Sequence, residues 1–284
     1  MAPDLSLTVL VDEAASKDNL FVGEFGLSFF VGSRKKKILF DTGSSGAFLA
    51  NAAAMGIGLR DLDYVVLSHG HNDHTGGLVP LVRYLAEERI RSGKPGVPEL
   101  IAHTRCFCPK PKGPLRNTGS PLSESEVRRY FTVNLSDRPV WITEDLVFLG
   151  EVPRRFPFER TDPGDRRIVL PGGSVEPDQL RDDSALAFRS AGGLVIITGC
   201  SHAGICNITE YAREVCGERR VAGIIGGFHL MTPDHRRIKQ TGEYLRDLRP
   251  GAIHTCHCTS PAARLALKKY SPVREAGIGM NFRW

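Results

Sequence analysis

The chain has 284 residues, 41% of them hydrophobic and 24% charged, with a formal net charge of +5. That is enough apolar material for a full core, and too sparse a positive charge for the dense basic face of a nucleic-acid binder. No run approaches the roughly 18 uninterrupted apolar residues of a membrane span, the early acids and missing apolar stretch argue against a signal peptide, and seven cysteines do not make a disulfide framework, so the expectation is a cytoplasmic protein with reduced thiols.

Residues 5–11 (LSLTVLV), 27–31 (LSFFV) and 38–40 (ILF) read as strands, rich in β-branched and aromatic side chains. Residues 64–67 (YVVL) are short and apolar throughout, as a strand buried on both faces should be. A helix is expected next, because Leu78, Leu81, Val82 and Leu85 recur at helical spacing and Pro80 fits a first turn. Residues 93–180 are proline-rich and read as an insertion or long loops within one 1–284 domain, although 139–143 and 146–149 look strand-like. Three more buried-strand runs follow at 194–198 (LVIIT), 222–225 (AGII) and 252–255 (AIHT), with helices expected at 205–216 and 238–248. Strands alternating with helices predict an α/β fold.

The histidines track the strand ends. His69, His71 and His74 follow 64–67; His202 follows 194–198; His229 follows 222–225; His254 and His257 lie at or just past 252–255. Ligand sites favour such loops, where adaptable backbone meets rigid scaffold. His103 and His235 lack this placement and read as ordinary surface or core residues. The densest segment is Ser68-His-Gly-His-Asn-Asp-His-Thr-Gly-Gly77. His69 and His71, two apart on an extended loop, can bind one metal ion, while Asp73 and His74 turn towards a second. Gly70, Gly76 and Gly77 are expected to permit the bend. Imidazole and carboxylate together suit Zn, Mn or Fe.

The His69-x-His71-x-Asp73-His74 string with Gly76-Gly77 resembles the metal-binding signature of the metallo-β-lactamase superfamily. Phe40-Asp-Thr-Gly43 resembles that family's element of a strand followed by Asp-x-Gly. The resemblance implies an αββα sandwich carrying the proline-rich insertion, with two divalent metal ions, zinc first among them, at one edge of two sheets. Thr198-Gly-Cys-Ser-His202-Ala-Gly-Ile, Gly226-Gly-Phe-His229-Leu and His257-Cys-Thr resemble the branch named for dihydropterin ribofuranosyl-aminobenzene phosphate synthase. By that resemblance His202 and His257 complete the ligand set. The sequence departs from the commoner family pattern where Gly199-Cys200 stands in place of a Gly-Asp whose carboxylate bridges the metals. It departs again where Arg181-Asp182-Asp183-Ser184 occupies the region that usually carries a third histidine. Asp182 and Asp183 are therefore either ligands or groups that position one, and Cys200 either a thiolate ligand or a buried thiol. His229 is expected to hydrogen-bond beside the metals.

Other signals carry less. Phe40-Asp-Thr-Gly-Ser-Ser45 spells an aspartic-protease string, but that chemistry needs a second copy, which is absent. Asp41 is better read as an acceptor of hydrogen bonds from the metal loop. Cys106-Phe-Cys108 and Cys256-His-Cys258 lack the spacing of a structural zinc site. Lys110–Arg116 reads as a solvated basic loop, with contact to a substrate phosphate as the alternative. The expected activity is hydrolysis of an ester, amide or phosphoester by a metal-held hydroxide, with Asp73 and His229 as catalytic groups. A synthase-like condensation and a metal-binding effector without turnover are the alternatives. The expected partner is a small molecule, anionic or phosphorylated if the mild positive charge has a role, and neither nucleic acid nor membrane. The sequence does not fix the oligomeric state.

Overall fold

The computed structural model describes residues 5–14, 20–93, 97–113, 116–232 and 234–284. Two seven-stranded sheets stack face to face. The first runs, in spatial order, Asn281–Arg283, Leu5–Val11, Ser28–Ser33, Lys36–Phe40, Tyr64–Val66, Glu99–Ala102 and Thr132–Leu135. The second runs Val273–Glu275, Ile253–Thr255, Val221–Gly226, Gly193–Thr198, Ala185–Ser190, Leu146–Phe148 and Val140–Trp141.

The apolar runs of the sequence split cleanly between layers, because successive strand residues face opposite ways. Ile38, Phe40, Val66 and Ile101 point between the sheets and meet Leu186, Phe188, Val195, Ile197 and Ile225 from the opposite sheet. Leu39, Val65, Leu67 and Leu100 point outward and pack with Phe48, Leu78 and Leu81 from the helices Ala47–Ala54 and Leu78–Ser92. On the far side Leu194, Ile196 and Ile224 pack with Ile205, Ile208, Ile238 and Leu245 from Ile205–Cys216 and His235–Leu248. The layers are therefore helix, sheet, sheet, helix, and the α/β sandwich expected from the motif is the one found.

The helix expected at 238–248 starts three residues earlier, because Asp234 caps it by accepting the Arg236 and Arg237 N–H groups. Residues 93–180 supply four strands to the two sheets. The rest of that segment includes two small hairpins, Pro111–Lys112 with Arg116–Asn117 and Arg167–Val169 with Val175–Pro177. A bridge between Lys112 and Arg166 ties the hairpins together, and another links Gly119 to His71. The proline-rich chain is thereby held against the loop that carries the histidines. None of the helices among the described residues is long and apolar enough to cross a membrane.

Candidate metal centre

Six strands deliver the site from their carboxyl ends. Asp12 follows Leu5–Val11, Asp41 follows Lys36–Phe40, and the histidine loop follows Tyr64–Val66. Cys200 and His202 follow Gly193–Thr198, His229 follows Val221–Gly226, and His257 follows Ile253–Thr255. Asp41, Ser201, His229 and His257 have φ between +44° and +61°. Non-glycine residues rarely adopt that conformation, and it concentrates where a site over-determines the backbone.

Two groups of side chains converge. His69, His71 and His202 form the first; Asp73, His74, Cys200 and His257 form the second; and Cys200, His202 and His229 lie together where the two adjoin. In the first, His69 Nε2 lies 3.0 Å from His71 Nδ1 and 3.2 Å from His202 Nε2. In the second, His74 Nε2 lies 3.2 Å from Cys200 Sγ, 3.3 Å from His257 Nε2 and 3.6 Å from Asp73 Oδ2.

The outer nitrogens of three rings are already engaged. His74 Nδ1 is 2.7 Å from Asp41 Oδ2, and His257 Nδ1 is 3.0 Å from Glu13 Oε1. Ser68 Oγ donates its proton to Asp41 Oδ2, so it accepts from His69 Nδ1 at 2.9 Å. Asp41 and Ser68 fix the protons of His74 and His69 on Nδ1, the Glu13 carboxylate draws that of His257 to Nδ1 by charge although the pair lacks hydrogen-bond geometry, and lone pairs are left on the three Nε2 atoms. His74 and His257 then aim lone pairs at one another across 3.3 Å. Such an arrangement calls for a cation between the rings, and two ligands of one tetrahedral ion, each about 2.0–2.3 Å away, stand roughly 3.5 Å apart. The donor set fits divalent metal ions, and the outer contacts are of the kind that orient metal ligands.

The electrostatics differ between the groups. Burial pushes the His69, His71 and His202 imidazoles down, with repulsion from neighbouring histidines adding to it; His71 is lowered to about 4. These rings are neutral, as ligands must be. Burial also works against charge on His74 and His257. There Asp73 and Asp41 outweigh it for His74, and Cys258, Asp73 and Glu13 for His257, so both are raised. Burial likewise disfavours an ionised Asp73, but His74 and His257 hold it below the usual carboxylate range. The second group therefore attracts positive charge and the first repels a proton.

Asp182 and Asp183 fall in neither group among the described residues. Asp182 accepts the Gly70 N–H at 2.8 Å and pairs with Lys110 Nζ at 3.0 Å, while Asp183 accepts the Ala203 N–H at 2.8 Å. Of the two roles left open for them, positioning is the one this geometry gives. Lys110 corrects the expectation of a solvated basic loop, since it is 1% exposed between Asp178 and Asp182. His254 also departs from expectation: strand alternation turns it away from the site to pack on Phe282, ring centroids 4.5 Å apart. His103 is buried 3.6 Å from Glu151, and His235 starts a helix on the surface. Neither belongs to a ligand group, and the C-x-C cysteines form none of their own among the described residues.

The glycines serve close approach more than bending. A Cβ on Gly70 would sit 2.0 Å from Cys106 O, and one on Gly77 would sit 2.1 Å from Thr42 O. Sequence reasoning missed Asp12, which accepts the His257 N–H at 2.6 Å, and Glu159, which caps Ile205–Cys216 by accepting the Cys206 and Asn207 N–H groups. An acidic pair, Asp12-Glu13, just past the first strand was the available signal for Asp12. Glu159, in a proline-rich loop, had none.

Over the two groups lies a cavity of about 170 Å³. His229 stands at its edge, its ring 4.2 Å from that of His202, and its Nδ1 has no hydrogen-bond partner among the described residues. Phe25 and Met231 supply apolar wall; Lys112, Arg116 and Arg166 from the paired hairpins supply positive charge.

Comparison with known proteins agrees with this geometry. The metallo-β-lactamase superfamily pattern matches residues 22–215. The chain is 30% identical over 264 residues to the 7,8-dihydropterin-6-methyl-4-(β-D-ribofuranosyl)-aminobenzene-5'-phosphate synthase of Methanocaldococcus jannaschii, covering 90% of this chain and 88% of that one. Among solved structures, Tm1679, a metal-dependent hydrolase of the β-lactamase superfamily, superposes with a TM-score of 0.82 at 29% identity over 99% of both chains. Zinc-bound PqqB from Methylobacterium extorquens shares the fold at a TM-score of 0.55 and 13% identity, over 98% of this chain and 100% of that one. The chain belongs to the metallo-β-lactamase superfamily.

Proposed function

We propose that this protein is a dinuclear metal-dependent hydrolase acting on a phosphoester of a small molecule. The observation that carries the reading is a basic rim set over two metal-ligand groups. Lys112 and Arg116 are exposed, and no acidic side chain pairs with either among the described residues. The Arg166 Nε is buried without a hydrogen-bond partner among the described residues. Arg166 Nη2 donates to the Asp162 carbonyl at 2.8 Å, no carboxylate pairs with the guanidinium among the described residues, and its remaining N–H groups match phosphate geometry. The chain's +5 charge adds a mild attractive field.

In this reading His69, His71 and His202 hold one ion, and Asp73, His74 and His257 hold the other. When bound, the ions supply Lewis acidity, polarising the phosphoryl group and lowering the pKa of water from 15.7 to about 7. The protein's own groups do the rest. Lys112, Arg116 and Arg166 bind and orient the phosphate oxygens. Phe25 and Met231 exclude water from one wall. Asp73 accepts the proton that leaves the attacking water, and His229 Nδ1 hydrogen-bonds an oxygen of the reacting group as charge develops on it.

A second reading, condensation of a pterin with a phosphorylated aromatic, is favoured by the 30% identity to the M. jannaschii synthase. The same basic rim serves both. The test is a panel of phosphomonoesters, phosphodiesters and lactones, run beside a pterin diphosphate plus ribofuranosyl-aminobenzene phosphate. The hydrolase reading expects phosphoester turnover, with Arg166→Ala lowering kcat/KM by about 10- to 100-fold, as loss of a charged hydrogen bond would. Lactone turnover alone, unaffected by Arg166→Ala, would contradict it, and coupling without hydrolysis would favour the synthase.

A further inference from the structure

The proline-rich segment frames a second cavity, of about 440 Å³, that shares no lining residue with the cavity over the metals. Arg154, Arg160 and Arg181 line it beside Thr161, with Glu151 as the acidic side chain on its wall. Three guanidinium groups thus face one carboxylate, an excess of two positive charges. Glu151 is itself divided, its Oε1 3.7 Å from Arg181 Nη1 and its Oε2 3.6 Å from His103 Nε2. Among the described residues no acid pairs with Arg154 or Arg160.

Scattered surface arginines need no explanation, but these are gathered round a hollow by a rigid frame. Pro153, Pro157 and Pro163 fix the backbone of the loop. Asn207 Oδ1 accepts the Arg155 and Phe156 N–H groups at 2.7 and 3.0 Å, and buried Glu159 fastens the loop to the helix Ile205–Cys216. Holding like charges together costs repulsion that a bound anion relieves. A frame built beforehand also spares the ordering cost of binding. The planar forks match phosphate oxygens, and the volume falls within the roughly 300–1,000 Å³ of small-molecule sites.

This cavity also touches the supports of the metal loops. Arg154 Nη2 donates to the Leu180 carbonyl at 2.7 Å, and the same carbonyl accepts the Asp183 N–H at 3.2 Å. Leu180 has a φ of +51°, a conformation that non-glycine residues rarely adopt. Beyond it stand Asp182, which holds Gly70, and Asp183, which holds Ala203.

We propose that Arg154, Arg160 and Arg181 form a second binding site, distinct from the metal centre, for the phosphate group of a small phosphomonoester. Its occupancy steadies the 180–183 turn and adds negative charge on the side of the bound cations, so ligand and metal favour one another, each by the same factor. The site stands whether the metal centre hydrolyses or condenses.

Calorimetric titration of the full-length, metal-loaded protein tests it, with inorganic phosphate and with propylphosphonate, whose carbon–phosphorus bond resists hydrolysis. Propylphosphonate should bind a site whose Kd rises about 10- to 100-fold in Arg160→Glu, as loss of a charge-assisted hydrogen bond and its reversal would. Arg116→Glu, on the rim over the metals, should leave that site unchanged, and Arg160→Lys should keep most of the affinity, which separates loss of charge from loss of fold. Binding that Arg160→Glu leaves intact, or that Arg116→Glu abolishes, would overturn the second site. Inorganic phosphate binding there more tightly than propylphosphonate would overturn the monoester assignment. Propylphosphonate should also slow metal removal by a competing chelator, and a slowing that survives Arg160→Glu in full would overturn the coupling.

Discussion

Asp182 and Asp183 are neighbours in sequence, both essentially fully buried, and they serve the site in opposite ways. Asp182 supports the first half: it holds Gly70, and through it the loop bearing His69 and His71. Asp183 supports the same group from the other sheet, holding the turn that presents His202 through the Ala203 N–H. Burial pushes both carboxyls up. Lys110, the Gly70 N–H and His71 reverse this for Asp182 and hold it below the usual range. Asp183 has backbone donors but no adjacent ammonium, and it is raised to about 7. One of its oxygens, Oδ1, has no partner among the described residues. What separates two adjacent acids is thus a single buried lysine, carried in by the proline-rich segment.

The largest break in this contrast should come from Lys110→Met. It strands Asp178 and Asp182 without their cation, and breaking a buried pair by removing one partner costs about 3–5 kcal/mol. Chemical denaturation measures the loss; a change below about 1 kcal/mol would mean the pair does not hold the segment down. Asp182→Asn should cost less, about 1.5–3 kcal/mol, because the amide still accepts from Gly70 but loses the charge-assisted bond. It should also weaken metal affinity by about 10- to 100-fold, the usual penalty for disturbing what orients a ligand. Titration with a competing chelator reads this directly.

At acid pH the smallest effect belongs to Asp183, and its signature is the change with pH. A carboxyl held low, as Asp182 is, contributes stability above its unfolded pKa near 3.8, lost as pH falls below that. A carboxyl held high works the other way. Asp183 favours folding fully below about 3.8 and progressively less as pH rises towards about 7. In chelator-treated protein, stability attributable to Asp183 should decline across that window. Asp183→Asn should flatten the decline, and it should change stability by less than about 1 kcal/mol below about pH 3.8, where the carboxyl it replaces is still protonated in both states. An unchanged slope would show that Asp183 is already ionised in the folded protein.

Legibility in the sequence followed the same division. The loop from Ser68 to Gly77 could be read directly, because its ligands are contiguous and follow one strand. His202, His229 and His257 could be read as strand-end histidines, since short apolar runs mark strands buried on both faces. The strand-end rule failed at His254, which lies inside Ile253–Thr255, where parity decides the face. It was silent on Asp12 and Glu13, which meet His257 from some 245 residues away. Lys110 was misread because a lysine among prolines looks solvated, and only the packing of the segment against Asp178 and Asp182 buries it. The basic rim was half visible: Lys112 and Arg116 stood in a recognised basic stretch. Arg166 joins them only through the bridge between hairpins.

The central claim is that the two groups hold metal, and elemental mass spectrometry of the purified protein beside His71→Ala tests it most directly. The account predicts about two equivalents of a divalent ion, zinc foremost, in the parent, and no more than one in a variant that still folds. A parent that stays empty after reconstitution, or a variant that keeps both ions, would contradict it.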